Sequence, residues 1–183
     1  MQKITLLILS MIVSQISHAK SLKINPLASE QTKQFASMLG EWKITDYALD
    51  KQGKWQKSTG ADWNWYTILN GHAIQDDWIQ PSLSTKLEDE SKRGYGTNIR
   101  IYNPKTNLWE MAWASSNGKK VDNFSAKFED NKIIMTGFYA GGNTRVTFYD
   151  MKPDSFEWKM EMQSKDDKKL WKEVYRIHGD RKK

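Results

Sequence analysis

The stretch Asp62–Trp78, DWNWYTILNGHAIQDDW, holds three tryptophans, the carboxylate pair Asp76–Asp77 and one of the three histidines of the chain. It reads either as an active site, with acids beside a histidine, or as a wall, with two alternating runs about an Asn-Gly turn. Asn-Gly between alternating runs is the strongest short hairpin signal, because both turn residues must take positive φ. A two-residue loop at Asn70-Gly71 sets the register: Leu69 faces His72, Thr67 faces Ile74, Trp65 faces Asp76 and Trp63 faces Trp78 on one side. Asp62, Asn64, Tyr66, Ile68, Ala73, Gln75, Asp77 and Ile79 share the other. The first side is the more aromatic and is assigned to the interior. Asp77 then looks to solvent, His72 goes to the rim, and only Asp76 shares a face with the tryptophans.

An inward carboxylate needs a partner or a raised pKa, since burying an unpaired charge is costly. Arg100 and Arg145 are the candidate cations, and an indole N–H is the alternative donor. Three roles stay open for Asp76: a buried polar network that holds register, an anchor for the polar end of a ligand, and an acid or base. A metal site at His72 lacks a second nearby histidine.

Outward from the hairpin the same period-two pattern continues. Phe156, Trp158, Met160 and Met162 alternate with Glu157, Lys159, Glu161 and Gln163, and Phe124, Ala126 and Phe128 alternate with Asn123, Ser125 and Lys127. Such alternation marks half-buried strands. Turn signals (DKQGK, NPKTN, SNGK, EDNK, AGGN, KPDS, SKDDKK) separate about ten runs, at 41–49, 54–69 with a break near Gly60, 72–79, 94–102, 108–115, 120–128, 132–139, 143–150, 156–163 and 170–178. Only Gln80–Arg93, with Pro81 and many charges, is long and irregular, and it is expected to be mobile. Upstream, Ser29 is a candidate N-cap for one short helix whose Phe35, Met38 and Leu39 share a face before Gly40. An open meander leaves two exposed edges, which closure removes. The expected fold is all-β, an up-and-down antiparallel barrel of about ten strands with the N-terminal helix plugging one end; a two-sheet sandwich would need longer crossovers.

The chain opens MQKITLLILSMIVSQISHA, with Lys3, an apolar run from Ile4 to about Ile16, and small residues at Ser17 and Ala19. This is the pattern of a signal peptide cleaved after Ala19, and the run is too short for the ~20 residues of a membrane span. The expected layout is residues 1–19 as signal and 20–183 as one barrel domain, periplasmic or secreted, with no transmembrane segment in the mature chain. With no cysteine, neither a lipid-modified cysteine nor a disulfide is available, so the core alone must hold the domain. The net charge of +6 is spread among acids, and the densest basic run, GDRKK, reads as a frayed tail. No clustered footprint for nucleic acid is present.

Four segments carry a family resemblance: MLGEWKI (Met38–Ile44), ILNGHAIQDDW (Ile68–Trp78), RIYNPKTNLWEMAW (Arg100–Trp113) and SKDDKKLWKEVYRI (Ser164–Ile177). Together they resemble the lipocalin-like, or calycin, barrels, in particular bacterial barrel proteins of unknown function. Gly40-Glu41-Trp42 looks like the calycin Gly-x-Trp signature after a plugging helix. The resemblance implies that Trp42 packs near a basic residue of the last strand, Arg176 first and Arg181 second. It implies a lumen but no particular ligand, since the superfamily spans fatty-acid carriers, haem-binding nitrobindins and small enzymes. Haem held by a last-strand histidine is disfavoured, because His178 stands only at the end of that strand.

Further inward candidates are Trp42 and Ile44, then Trp109, Met111 and Trp113, then Phe124, Phe128, Trp158, Met160 and Met162. Nine tryptophans and flexible methionines suit a lumen for an apolar or aromatic molecule, although filling the barrel would also use them. The leading expectation is an exported, non-catalytic protein holding a small apolar or amphipathic ligand. Its ligand-binding set is Trp63, Trp65, Asp76, Trp78, Arg100, Met111, Trp113, Trp158 and Met160. The alternative is an isomerase, lyase or hydrolase with Asp76 as acid or base, assisted by Tyr66, Tyr95 or Tyr102. No nucleophile elbow, phosphate loop, metal-binding histidine pair or redox cysteine occurs, and no cofactor is expected.

Overall fold

The computed structural model describes residues 20–183; the expected signal segment lies outside the described residues. Eleven strands follow in order: β1 (Gly40–Leu49), β2 (Trp55–Lys57), β3 (Ala61–Ile68), β4 (Ala73–Gln80), β5 (Gly94–Asn103), β6 (Leu108–Ser115), β7 (Lys120–Glu129), β8 (Lys132–Tyr139), β9 (Gly142–Tyr149), β10 (Ser155–Gln163) and β11 (Trp171–Arg181). From β3 onward each pairs antiparallel with the next, β2 and β3 both pair with β1, and β11 returns to pair with β1. The short β2 and the longer β3 run along the same side of β1, split at the expected break. They count as one stave, so the sheet closes as a ten-stranded barrel. The backbone at the break is held from β1: Ser58 N–H donates to the Asp46 carbonyl at 2.9 Å, and Gly60 N–H to the Asp46 carboxylate at 2.9 Å.

The opening hairpin has the expected register. Trp65 lies opposite Asp76 and Trp63 opposite Trp78. The turn itself is wider than two residues: Ile68 and Ala73 form the last pair, and Leu69, Asn70 and Gly71 take φ of 49°, 52° and 81°. A single left-handed turn spans the gap without changing the register, and leaves Leu69 and His72 exposed instead of paired.

The plug is a 3₁₀ helix, Glu30–Met38, without a side-chain cap from Ser29. Phe35 and Met38 are fully buried. The Phe35 ring stacks on Trp65 at 5.7 Å and meets the rings of Trp109 and Phe148 edge-on at 4.8 and 6.2 Å. Trp109 Nε1 donates to Gln34 and Trp42 Nε1 to the Met38 carbonyl, so these buried indoles leave no orphaned donor. The residues before the plug cover the free edge of β3 beyond the start of β1, with Thr67 N–H donating to the Ser21 carbonyl at 2.7 Å.

Several expectations need correction. The cation over Trp42 is Arg181, 4.1 Å from the ring centre, while Arg176 lies over Trp55 on the outer wall. Arg181 also donates to the carbonyls of Leu39 and Ser37, tying the last strand to the plug. Because the barrel seam needs that length of β11, the run GDRKK is strand through Arg181 and not a frayed tail. The β4–β5 connection is anchored, not loose: the Arg93 guanidinium, 5% exposed, donates to the carbonyls of Pro81, Ser82 and Thr85. Asp62 faces outward yet is buried beneath this connection, accepting from Leu83 N–H, Ser82 Oγ and Lys182 Nζ. Phe128, expected inside, is 40% exposed near a barrel end.

Candidate functional site

Asp76 sits on the inner wall of β4 with no exposed surface. It accepts from Trp63 Nε1 at 2.7 Å and pairs with the Arg100 guanidinium. The cation comes from β5, whose Arg100 is opposite Ile74, one inward step from Asn98 opposite Asp76. The guanidinium is 1% exposed and stands 4.1 Å over the Trp65 ring, with Phe35 beyond at 5.4 Å. Burial pushes the Arg100 pKa well down from its ordinary value; the facing carboxylate and the two ring faces are what keep the cation favourable there. Arg145, the other candidate cation, points outward and forms a two-pronged pair with Glu161 at 2.9 Å for each contact.

Above this sealed layer the barrel is hollow. A cavity of about 590 Å³ opens at the end away from the plug, beside the β4–β5 connection. Its walls include Trp63, Trp78, Trp113 and Trp158, with Phe124, Met135 and Met160 between them. The size falls within the ~300–1,000 Å³ usual for small-molecule sites. Trp113 owes its position to β5: its ring lies where a side chain on Gly96 would be, with a Cβ there only 2.1 Å from the ring. Asn98 and Arg100 form part of the lining, and both are at least 95% buried. Asn98 Oδ1 and Arg100 Nε have no hydrogen-bond partner among the described residues.

Of the nine residues singled out from the sequence, Trp63, Trp78, Arg100, Trp113, Trp158 and Met160 border this cavity. Trp65, Asp76 and Met111 do not; they are buried in the packed half below. The tyrosines offered as helpers of Asp76 lie elsewhere. Tyr66 donates to Asp77 on the outer wall, where burial and that carboxylate push its phenol up to about 12. Tyr95 is half exposed, and Tyr102 packs on Trp109 with its hydroxyl toward Asn107. His178 is likewise outside, bonded to Glu157 at 2.7 Å and Asp180 at 3.2 Å.

A second buried carboxylate at the mouth was not found from the sequence. Asp46 of β1, fully buried, accepts from Gln80 Nε2 at 2.7 Å, Gly60 N–H at 2.9 Å and the Tyr175 hydroxyl. Tyr175 faces inward because of a bulge between β10 and β11: Met160 is opposite Tyr175 but Glu161 is opposite Glu173, which leaves Val174 extra. The extra residue reverses the faces of the strand, so Trp171 and Glu173 look outward while Tyr175 and Ile177 look in. Strict alternation cannot reveal such a switch. Burial, then the hydrogen bond to Asp46, raises the pKa of the Tyr175 phenol.

No protein-family model matches the chain, and no curated protein matches it in sequence. Among solved structures it is similar to the S-type phycobiliprotein lyase CPES from Guillardia theta, with TM-score 0.55 and 10% identity over 81% of this chain and 90% of that one. It is also similar to Rv2717c from M. tuberculosis, with TM-score 0.58 and 8% identity over 85% and 99% of the two chains. The fold is a calycin-like barrel. At these identities the likeness is one of fold alone. Among the described residues no group of three His, Cys, Asp or Glu side chains is placed to hold a metal ion, and no helix is long and apolar enough to cross a membrane.

Proposed function

We propose that the protein is an exported, non-catalytic carrier that holds a small, largely apolar or aromatic molecule in the open half of the barrel. One observation carries this reading: the hollow half is walled by aromatic and methionine side chains and floored by two buried polar groups, Asn98 Oδ1 and Arg100 Nε, without partners. Buried polar atoms are rarely left unpaired. A ligand carbonyl or carboxylate would satisfy the arginine, and the asparagine amide can turn to present either end. The scaffold leaves the ligand open, since one barrel of this fold is a phycobiliprotein lyase and fold does not carry function. Export rests on the signal-peptide pattern of residues 1–19.

The alternative of an isomerase, lyase or hydrolase built on Asp76 loses its geometry. A catalytic acid or base must reach the proton it moves, and Asp76 is unexposed with both oxygens engaged.

Native mass spectrometry of the protein purified from its own host tests the reading. A co-purifying small molecule is expected on wild type and is lost in Trp113→Ala, whose circular dichroism should stay unchanged. A barrel that is empty in every preparation overturns the proposal. The intact mass of the same sample should correspond to a chain beginning at Lys20, and a chain that retains residues 1–19 would overturn the export half.

A further inference from the structure

Asp46, Gln80, Ser58 and Tyr175 meet at the mouth of the cavity, and the last three border it. Asp46 accepts each of the hydrogen bonds it makes here, from Gln80 Nε2, Gly60 N–H and the Tyr175 hydroxyl. Asp46 therefore dictates how its neighbours are turned. The single hydrogen of Tyr175 is committed to Asp46, so the phenol has only lone pairs left to offer. Gln80 turns its nitrogen to Asp46, with Ser58 Oγ and the Tyr175 hydroxyl each 3.3 Å from that same nitrogen. Its Oε1 must then face the other way.

The two polar positions of the cavity thus differ in sign. At the floor, Arg100 Nε–H is a donor without an acceptor. At the mouth, Gln80 Oε1 and the Tyr175 oxygen are acceptors. Gln80 is four residues beyond Asp76 along β4, roughly 13 Å at ~3.3 Å per residue, and tryptophan rings line the space between. Lys92 also borders the mouth, so a cationic donor would meet repulsion there and a neutral one would not.

We propose that the Asp46–Tyr175–Gln80 cluster is a second recognition point of the cavity, selecting a neutral hydrogen-bond donor, a hydroxyl or N–H, on the outer end of the ligand. The ligand class is a flat aromatic molecule with a carboxylate or carbonyl at its inner end and a hydroxyl or N–H at its outer end. This rests on the reading of the barrel as a carrier.

Isothermal titration calorimetry with three probes separates the two claims: 2-naphthoic acid, 6-hydroxy-2-naphthoic acid and 6-methoxy-2-naphthoic acid. Wild type should bind the hydroxy acid on the order of tenfold more tightly than either of the others, the worth of about one net hydrogen bond. That preference should vanish in Tyr175→Phe and shrink in Gln80→Met, while both variants keep their affinity for 2-naphthoic acid. If Tyr175→Phe does not fold, Gln80→Met and the wild-type ranking decide. Equal binding of all three acids by wild type overturns the mouth site and leaves the carrier reading standing. Failure of all three to bind overturns both.

Discussion

At the plugged end of the barrel a buried carboxylate, Asp76, faces a buried guanidinium and is closed over by Trp63, Trp65 and Phe35. At the mouth another buried carboxylate, Asp46, is held, among the described residues, by neutral donors: a phenol, an amide and a backbone N–H. Both are fully buried, yet they do different work. The first is matched charge to charge inside a packed layer, and what it presents to the hollow is a donor, the unpartnered Arg100 Nε. The second has no cation among its partners in the described residues, and two of the donors it draws toward itself, Gln80 and Tyr175, border the hollow. Burial alone therefore does not mark a functional acid; what its partners present to the cavity does.

Removing one member of each set measures this contrast. Asp76→Ala strands the Arg100 charge in the packed half and is expected to lower stability by about 4 kcal/mol in urea denaturation. Substituting both partners with apolar residues of similar volume should recover most of that loss, and a single-variant loss under 1 kcal/mol would break the picture of a tight pair. Asp46→Asn leaves no charge behind and retains one acceptor, so about 2 kcal/mol is expected from its weakened hydrogen bonds. A loss as large as that of Asp76→Ala would erase the distinction between the two ends.

Titration sharpens the comparison on the outside of the wall. Desolvation opposes ionisation of Asp62, but Lys182, Leu83 N–H and Ser82 outweigh it and hold the folded pKa below its ordinary value. The stability this contributes is present above the unfolded pKa of about 3.9 and is lost as pH falls through the folded value. Below about pH 4, amide exchange of the β4–β5 connection should therefore rise before the plugged half responds, a local effect of about 1 kcal/mol. Exchange that rises everywhere at once would contradict it. The smallest effect belongs to His178, whose pKa is raised by Glu157 first and Asp180 after, against desolvation. Its contribution is full below about pH 6.5 and is lost as pH rises through the folded pKa. On a side chain 41% exposed, solvent screening leaves a few tenths of a kcal/mol, and His178→Gln should flatten that slope in thermal melts measured across pH 6 to 8.

The hairpin register was legible because it depends on a turn signal and on alternation, both local. Trp63, Trp65, Asp76 and Trp78 share the inner face as expected, although the turn is wider than two residues. Arg100 as partner of Asp76 was one of two cations open to the sequence, and only the pairing of β4 with β5 brings it there. Tyr175 was missed because one extra residue, Val174, reverses the faces of β11. The β4–β5 connection looked loose because neither of its anchors leaves a local pattern: Arg93 folds back onto the carbonyls of Pro81, Ser82 and Thr85, and Asp62, itself paired with Lys182, holds Leu83 from an earlier strand.

Period-two alternation punctuated by turn residues determined the strands, their order and the inner faces of β1, β3, β4, β6, β7 and β10, since each of these follows from neighbours a few positions apart. Closure of β11 on β1, the bulge, the cation over Trp42 and the division into a packed half and a hollow half were decided only in three dimensions. Closure and the cation over Trp42 depend on residues more than a hundred positions apart meeting across the seam, the bulge on one unpaired residue between β10 and β11, and the hollow on the volume left once Phe35 fills one end; no local pattern encodes any of these.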